Sequence, residues 1–316
     1  MRPSEGVAPG LERVSASLRW LARLPILRTV RRARWAERLA DAFYYGRLVE
    51  ETVRFVVREL RQSGRVCAYR PRGARLDVLI RHDTSDRYIL AEIFQLGQYD
   101  FPAAAVESLE ELGGAPLVVD LGAHVGLFGV HVLDRFPDAR LVAYEVDPAN
   151  AVVLAECIAR NRLNDRWRIV QASAAPSYGV DHFAGGLLAA SHVDADGELS
   201  VPRRDVFPDL AEADVVKIDI EGSEWPILDD PRFAALKATI VALEYHPHRC
   251  PYPDPRIAAL ELFARLGYRV EEVDVPSAPS GVGMLWAWRD RTRRPTPASA
   301  ASRSKSAYAC STSAFR

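Results

Sequence analysis

The chain has 316 residues, with 41 basic and 42 acidic side chains and a formal net charge of −1. This length can bury one large α/β core with additions, and the balanced charge argues against nucleic acid as a partner. The four cysteines are scattered and fit neither a metal site nor a disulfide framework. With no apolar signal core and no run of membrane length, we expect a cytoplasmic protein without integral membrane association.

The first third of the chain predicts helices followed by a small β element. Apolar residues recur at helical intervals over 11–61, with Pro25 as an expected interruption. All charges from Arg19 to Arg34 are arginines, which is typical of an exposed basic face or of a membrane-surface or partner-binding helix. Residues 65–92 alternate in a strand-like way. We therefore expect residues 1–110 to form an N-terminal helical extension with a small β element.

A glycine-spaced turn follows the apolar strand at 116–121. Glycine lets the backbone turn sharply and approach a ligand, and a helix beginning near Leu127 would offer its positive N-terminal end. About twenty residues later a second strand ends in Glu145, where a carboxylate can accept hydrogen bonds from both ribose hydroxyls of a nucleoside. The predicted cofactor-binding residues are Asp120, Gly122, Ala123, His124, Gly126, Glu145, Val146 and Ala172.

The spacing in this turn favours one class of cofactor. It lacks the G-x-G-x-x-G pattern of dinucleotide sites, and Asp120 precedes the first glycine. A carboxylate there would repel a pyrophosphate, whereas it suits the cationic sulfonium and amino group of S-adenosyl-L-methionine. We therefore predict S-adenosyl-L-methionine in preference to NAD. The alternative is a strand-to-helix turn whose glycines serve tight packing alone.

From residue 116 onward strands and helices alternate, which predicts an α/β fold with a mainly parallel sheet. Asp147-Pro148 and Asp254-Pro255 are expected helix starts. Five further strands are predicted at 168–172, 214–219, 238–245, 268–275 and 282–289, giving a seven-stranded sheet. The last connection is too short for a crossover helix, so one strand should be antiparallel. We expect loops around 176–205 and a disordered tail at 291–316.

Acidic residues and a histidine follow two of these predicted strands. Asp219, Glu221 and Glu224 come after the strand at 214–219, and His246 follows the strand at 238–245. The carboxyl ends of parallel strands meet at one sheet edge, so Asp219, Glu221 and His246 are the predicted catalytic residues, able to position a hydroxyl and accept its proton. Mg²⁺ is compatible with these ligands but is not predicted. The alternatives are helix capping by Glu221 or Glu224 and an ordinary loop histidine.

Four motifs taken together resemble the FkbM family of S-adenosyl-L-methionine-dependent methyltransferases over about residues 116–290. They are V-D-L-G-A-H-V-G (119–126), A-Y-E-V-D-P (143–148), V-K-I-D-I-E-G-S-E (216–224) and L-E-Y-H-P (243–247). The resemblance implies a class I, Rossmann-like methyltransferase domain, placed here at residues 111–290. It also implies O-methylation of a small-molecule hydroxyl on a sugar, polyketide or other secondary metabolite.

Two features limit what the resemblance implies. His124 stands where the family usually has asparagine, and the arginine-rich segment and the tail match no family motif. A nucleotide (NAD)-dependent oxidoreductase and a non-catalytic binding protein with a methyltransferase fold remain the alternatives. The sequence carries no signal for the oligomeric state.

Overall fold

The computed structural model of the protein describes residues 25–61, 64–82, 84–110, 115–184, 192–193, 199–275 and 279–289. The helical pattern at 11–24 and the tail predicted at 291–316 lie outside these residues. None of the helices described has both the length and the hydrophobicity that a bilayer crossing requires.

The described part of the chain before the main sheet contains four helices and two short strands. In chain order they are α1 (Pro25–Gly46), α2 (Thr52–Arg61), β1 (Val66–Tyr69), β2 (Val78–Arg81), α3 (Asp86–Phe94) and α4 (Ala103–Glu110). β1 and β2 pair antiparallel, as the small β element requires. The strand-like interpretation is wrong at its end, because residues 86–92 belong to helix α3. Ile89, Leu90 and Ile93 repeat there at helical spacing, and the last two are buried.

The remaining elements follow the predicted alternation of strands and helices except over residues 173–205, where strands succeed one another. They are β3 (Leu117–Leu121), α5 (Leu127–Arg135), β4 (Arg140–Tyr144), α6 (Pro148–Arg160), β5 (Trp167–Val170), β6 (Ser173–Ala175), β7 (Gly179–Ala184), β8 (His192–Val193), β9 (Leu199–Asp205), α7 (Phe207–Leu210), β10 (Val215–Ile218), α8 (Trp225–Leu228), a 3₁₀ turn (Phe233–Ala235), β11 (Ile240–Tyr245), α9 (Pro255–Arg265), β12 (Arg269–Val273) and β13 (Gly283–Trp288). Asp147 and Asp254 cap α6 and α9 through their side chains, which confirms both predicted helix starts.

Seven strands form the main sheet in the order β12-β13-β11-β10-β3-β4-β5. β13 runs antiparallel to β11 and β12, and the other neighbouring pairs are parallel. The predicted seven-stranded sheet with one antiparallel strand is confirmed, and it agrees with the class I, Rossmann-like arrangement that the resemblance implies. The carboxyl ends of β3, β4, β10 and β11 consequently meet at one edge.

A second sheet has four strands in the order β6-β9-β7-β8, and three of them, β7, β8 and β9, occupy residues where the sequence predicts loops. The apolar residues of these strands do not mark a buried face, since Val180 and Leu199 are exposed whereas Phe183 is buried. A strand is hard to predict from sequence when its apolar and polar residues do not alternate between a buried face and a solvent-exposed face.

Alternating side chains of the main sheet divide between two apolar clusters. Val118 and Leu141 face a cluster that also holds buried residues of the N-terminal segment, such as Phe55 and Leu90. Val119 faces the opposite cluster, formed with α7, α8 and α9. Each fully buried side chain of this size contributes about 1.5–3 kcal/mol. The N-terminal segment is therefore packed into the same core as the sheet.

Candidate active site

The glycine turn after β3 is held by the neighbouring strands. The N–H groups of Gly122 and Ala123 both donate to the carbonyl of Tyr144, at 3.0 and 2.9 Å. Gly122 has φ +87°, and a Cβ there would lie 1.8 Å from the carbonyl oxygen of Asp219. Gly122 is therefore required for the end of β3 to pack beside the end of β10.

Gly126 serves the packing of the following helix. It caps α5 with φ +89°, and a Cβ at this position would lie 2.5 Å from Leu154 Cδ1. Gly126 does not line the cavity described next. The packing interpretation of the glycines therefore fits Gly126.

A cavity of about 380 Å³ lies above the joined strand ends. It is lined by nine of the eleven predicted site residues: Gly122, Ala123, His124, Glu145, Val146, Ala172, Asp219, Glu221 and His246. The volume lies in the range usual for small-molecule sites. The structure thus brings the predicted cofactor residues and the predicted catalytic residues to one pocket.

Glu145 is 5% exposed and is held by three donors. Its Oε2 accepts from the N–H of His124 at 2.6 Å, and its Oε1 accepts from the N–H of Asp147 at 2.8 Å and from Asn150 Nδ2 at 3.3 Å. Burial raises the pKa of Glu145 to about 7, against the lowering effect of these hydrogen bonds. A carboxylate offers about four acceptor positions, so about one is left for a ligand rather than the two that the sequence analysis assumes.

His124 connects the glycine turn to the N-terminal segment. Its backbone is left-handed with φ 51°, and its Nε2 lies 3.3 Å from Nη2 of Arg81 and 3.7 Å from Oδ1 of Asp86. Its Nδ1 is buried without a hydrogen bond. Burial lowers the pKa of His124 to about 4, so this side chain is neutral at pH 7.

Asp120 does not line the cavity but lies fully buried behind it. Its Oδ1 is 3.3 Å from Nζ of Lys217, which also lies 3.2 Å from Oδ2 of Asp219 and donates to the carbonyl of Gly122 at 3.0 Å. Burial opposes the charge on Lys217, but the two carboxylates outweigh it and raise the lysine pKa. Burial also opposes ionisation of Asp219, whose pKa is nevertheless lowered, with Lys217 as the largest favourable cause.

Sequence reasoning missed Lys217, although it left a signal. Lys217 is the one charged residue in β10, a strand whose four residues are all buried. Lysine is rarely buried without a partner, so a lysine inside an apolar strand indicates adjacent carboxylates.

Glu224 stands at the N-cap position of α8, and its carboxylate orients His246. This buried carboxylate accepts from the N–H of Gly222 at 2.9 Å and of Ile220 at 3.3 Å, and it makes no capping hydrogen bond to the helix. The same Oε1 lies 3.0 Å from Nδ1 of His246. The side chain of Glu224 therefore holds the preceding turn and His246 in addition to occupying the start of α8.

The side chains around His246 lie close together in the cavity. Nε2 of His246 lies 3.4 Å from Oε2 of Glu221 and 3.8 Å from Oε1 of Glu244. The hydroxyl of Tyr99 donates to Oδ2 of Asp219 and to Oε2 of Glu244, each at 3.2 Å. Sequence reasoning selected neither Tyr99 nor Glu244, although Glu244 follows the apolar run of β11.

Burial and neighbouring charges shift the pKa values of Glu221, Glu244 and His246. Burial, followed by the charge of Asp219, raises the pKa of Glu221 to about 7 and that of Glu244 to about 8. Burial disfavours the charged form of His246, but the hydrogen bond and charge of Glu224 outweigh it and raise the pKa of His246 to about 9. Near pH 7, Glu221 and Glu244 therefore keep much of their protonation, and His246 carries a positive charge.

Residues 120–270 match the family model described as the methyltransferase FkbM domain. The matched region makes up just under half of the chain and is similar to FkbM methyltransferase domains. It contains all eleven predicted site residues. The match confirms the resemblance and favours a methyltransferase over the nucleotide-dependent oxidoreductase that the sequence left as an alternative.

Individual relatives of the chain are distant. A methyltransferase of Sordaria araneosa, sdnD, is 25% identical over 185 residues, covering 45% of this chain and 67% of the relative. The precorrin-6y C5,15-methyltransferase of Geobacter metallireducens is 16% identical at a TM-score of 0.36, covering 58% of this chain and 88% of that one. TYW2 of M. jannaschii, solved with AdoMet, is 15% identical at a TM-score of 0.36, covering 70% and 84%.

Proposed function

We propose that the protein transfers a methyl group from S-adenosyl-L-methionine to a hydroxyl of a small molecule, such as a sugar, polyketide or other secondary metabolite. The observation that carries this proposal is the single cavity that joins the glycine turn and Glu145 to Asp219, Glu221 and His246. A donor site and an acceptor site in one enclosure are what direct group transfer requires.

The residues around the turn suit the proposed cofactor. When bound, S-adenosyl-L-methionine supplies an electrophilic methyl group on a positively charged sulfur. Glu145 would accept a hydrogen bond from a ribose hydroxyl through its remaining acceptor position, and Ala172 would flank the adenine. The ionised Asp219 provides negative charge at the wall of the cavity. Asp120 would act indirectly, by holding Lys217 beside Asp219.

The other end of the cavity suits a hydroxyl acceptor, which must lose its proton during transfer. Nε2 of His246 lies there, 3.4 Å from a carboxylate oxygen of Glu221 and 3.8 Å from a carboxylate oxygen of Glu244. Because Glu224 fixes the imidazole, the acceptor would meet one arrangement of these atoms. Tyr99 holds Asp219 and Glu244 in the same arrangement.

The proposed division of the chain places the methyltransferase domain at 111–290 and an extension at 1–110. The extension would belong to the active site, since Glu92 and Tyr99 line the same cavity as Asp219 and Glu244. The shared apolar core supports this arrangement.

The test incubates the purified full chain and methyl-labelled S-adenosyl-L-methionine with a metabolite extract. We expect a product heavier by one methyl group, with the label on oxygen. Asp219→Asn should abolish turnover and still bind S-adenosylhomocysteine in calorimetry, whereas the exposed control Asp138→Asn should behave as wild type. Label found on nitrogen or carbon would refute the hydroxyl acceptor. A chain that neither binds S-adenosylhomocysteine nor yields labelled product would refute the activity.

A further inference from the structure

We propose that Asp219, Glu221 and His246 bind a divalent transition-metal ion, with Mn²⁺ as the probe, at the acceptor end of the cavity. One ligand atom from each side chain can be chosen so that all three lie within 4.8 Å of one another. Two atoms about 2.1 Å from one octahedral ion are about 3 Å apart when adjacent and about 4 Å apart when opposite. Small side-chain rotations would therefore close the set around an ion.

The donor set suits a particular class of ion. Two carboxylate oxygens are hard ligands that Mg²⁺, Ca²⁺ and Mn²⁺ accept, whereas an imidazole nitrogen is favoured by first-row transition metals. The combination of Asp219, Glu221 and His246 thus favours Mn²⁺ and its neighbours over Ca²⁺.

The orientation of His246 is an independent observation that indicates a ligand. The residue is 8% exposed, and its Nδ1 lies 3.0 Å from the fully buried carboxylate of Glu224, so the neutral ring keeps its proton on Nδ1. Nε2 is directed at Glu221 and Glu244, at 3.4 and 3.8 Å, and a metal ion would displace the second ring proton from this nitrogen. Histidines that bind metals characteristically donate their other N–H to a carboxylate in this way.

Carboxylates also outnumber the basic side chains paired with them around His246. Asp219, Glu221, Glu224 and Glu244 surround His246 or contact its neighbours, and Lys217 is the one lysine or arginine paired with them among the described residues. Lys217 is moreover shared with Asp120. Partly buried carboxylates that lack compensating charge keep their protons, and His246 compensates them only while both of its ring nitrogens are protonated. A divalent ion would take the place of these protons.

Such an ion would have a direct use in the reaction. It would hold the acceptor oxygen and lower the pKa of its hydroxyl, leaving Glu244, held by Tyr99, to receive the proton. This use rests on the proposed function, whereas the binding site itself does not.

The experiment titrates EDTA-treated full chain with Mn²⁺ in the absence of cofactor and follows free Mn²⁺ by electron paramagnetic resonance. We expect one ion per chain. Glu221→Gln and His246→Gln should each weaken binding at least about tenfold, and Glu224→Gln, which affects a positioning residue, about 10- to 100-fold. The exposed control Glu212→Gln should bind as wild type. Pulsed spectra should contain nitrogen coupling that His246→Gln removes.

Two results would overturn the metal site. One is the absence of saturable Mn²⁺ binding by the wild-type chain, and the other is unchanged binding in both Glu221→Gln and His246→Gln. Circular dichroism and a cooperative urea-unfolding transition establish that each variant is folded, and Glu221→Gln decides the matter if His246→Gln does not fold. A chain that binds Mn²⁺ with nitrogen coupling but neither binds S-adenosylhomocysteine nor yields labelled product would refute the proposed function and leave the metal site intact.

Discussion

Replacement of Lys217 by methionine tests the buried ion pairs that Lys217 forms with Asp120 and Asp219. The ammonium group lies between two carboxylates, 3.3 Å from Asp120 and 3.2 Å from Asp219, and the residue is 4% exposed. Methionine preserves most of the side-chain volume, so the change removes charge more than packing. Removing one partner of a buried ion pair costs about 3–5 kcal/mol because the other charge stays buried. For a protein of this size that cost lowers Tm by about 6–20 °C.

The measurement is urea unfolding of Lys217→Met beside Lys237→Met, a lysine substitution at an exposed position. We expect a loss of stability in the first variant and almost none in the second. Asp120→Asn introduced into Lys217→Met should recover part of the loss, because it removes one of the uncompensated charges, with a coupling energy of about 0.5–3 kcal/mol. A Lys217→Met chain within 1 kcal/mol of wild type, or a double variant less stable than Lys217→Met, would refute this account.

Three further substitutions test other contacts. Gly129→Ala should destabilise the fold by about 1–3 kcal/mol in chemical denaturation, since its Cβ would lie 2.1 Å from the ring of Trp167; an unchanged midpoint would contradict the packing. The pKa of Glu145 is raised from 4.5 to about 7, so its contribution to the unfolding free energy, about 3 kcal/mol, is present below pH 4.5 and lost as the pH rises to 7. Glu145→Gln should flatten that part of the stability curve, and parallel curves would contradict the shift. Tyr99→Phe should lower kcat about tenfold with S-adenosylhomocysteine affinity unchanged, and equal kcat values would remove Tyr99 from the site.

The sequence predicts the main sheet well because its local signals agree with one another. Buried parallel strands are continuous apolar runs, and the Asp-Pro pairs before α6 and α9 mark helix starts that the structure confirms. The antiparallel strand could be derived from the length of one connection. The second sheet could not, because its short strands expose apolar residues such as Val180.

The sequence predicts which residues line the cavity, but it does not predict which side chains contact one another. Motifs at strand ends placed nine residues around one cavity, because topology brings the ends of parallel strands together. The pattern could not tell that Asp120 lies behind the turn, since that depends on which face of β3 its side chain takes. It also could not supply Tyr99, which reaches Asp219 from 120 positions earlier in the chain. Contacts of such long range leave no local periodicity.

The contribution of Glu92 and Tyr99 to the cavity wall has a consequence for how this enzyme could diversify. The matched family region begins at residue 120, so part of the pocket is built by chain that the family signature does not include. On the proposed function, exchange of that upstream portion between relatives would reshape this wall for a new acceptor while the strand-end motifs stayed the same. An excised fragment of residues 120–270 would lack that wall and would leave its apolar neighbours open to water.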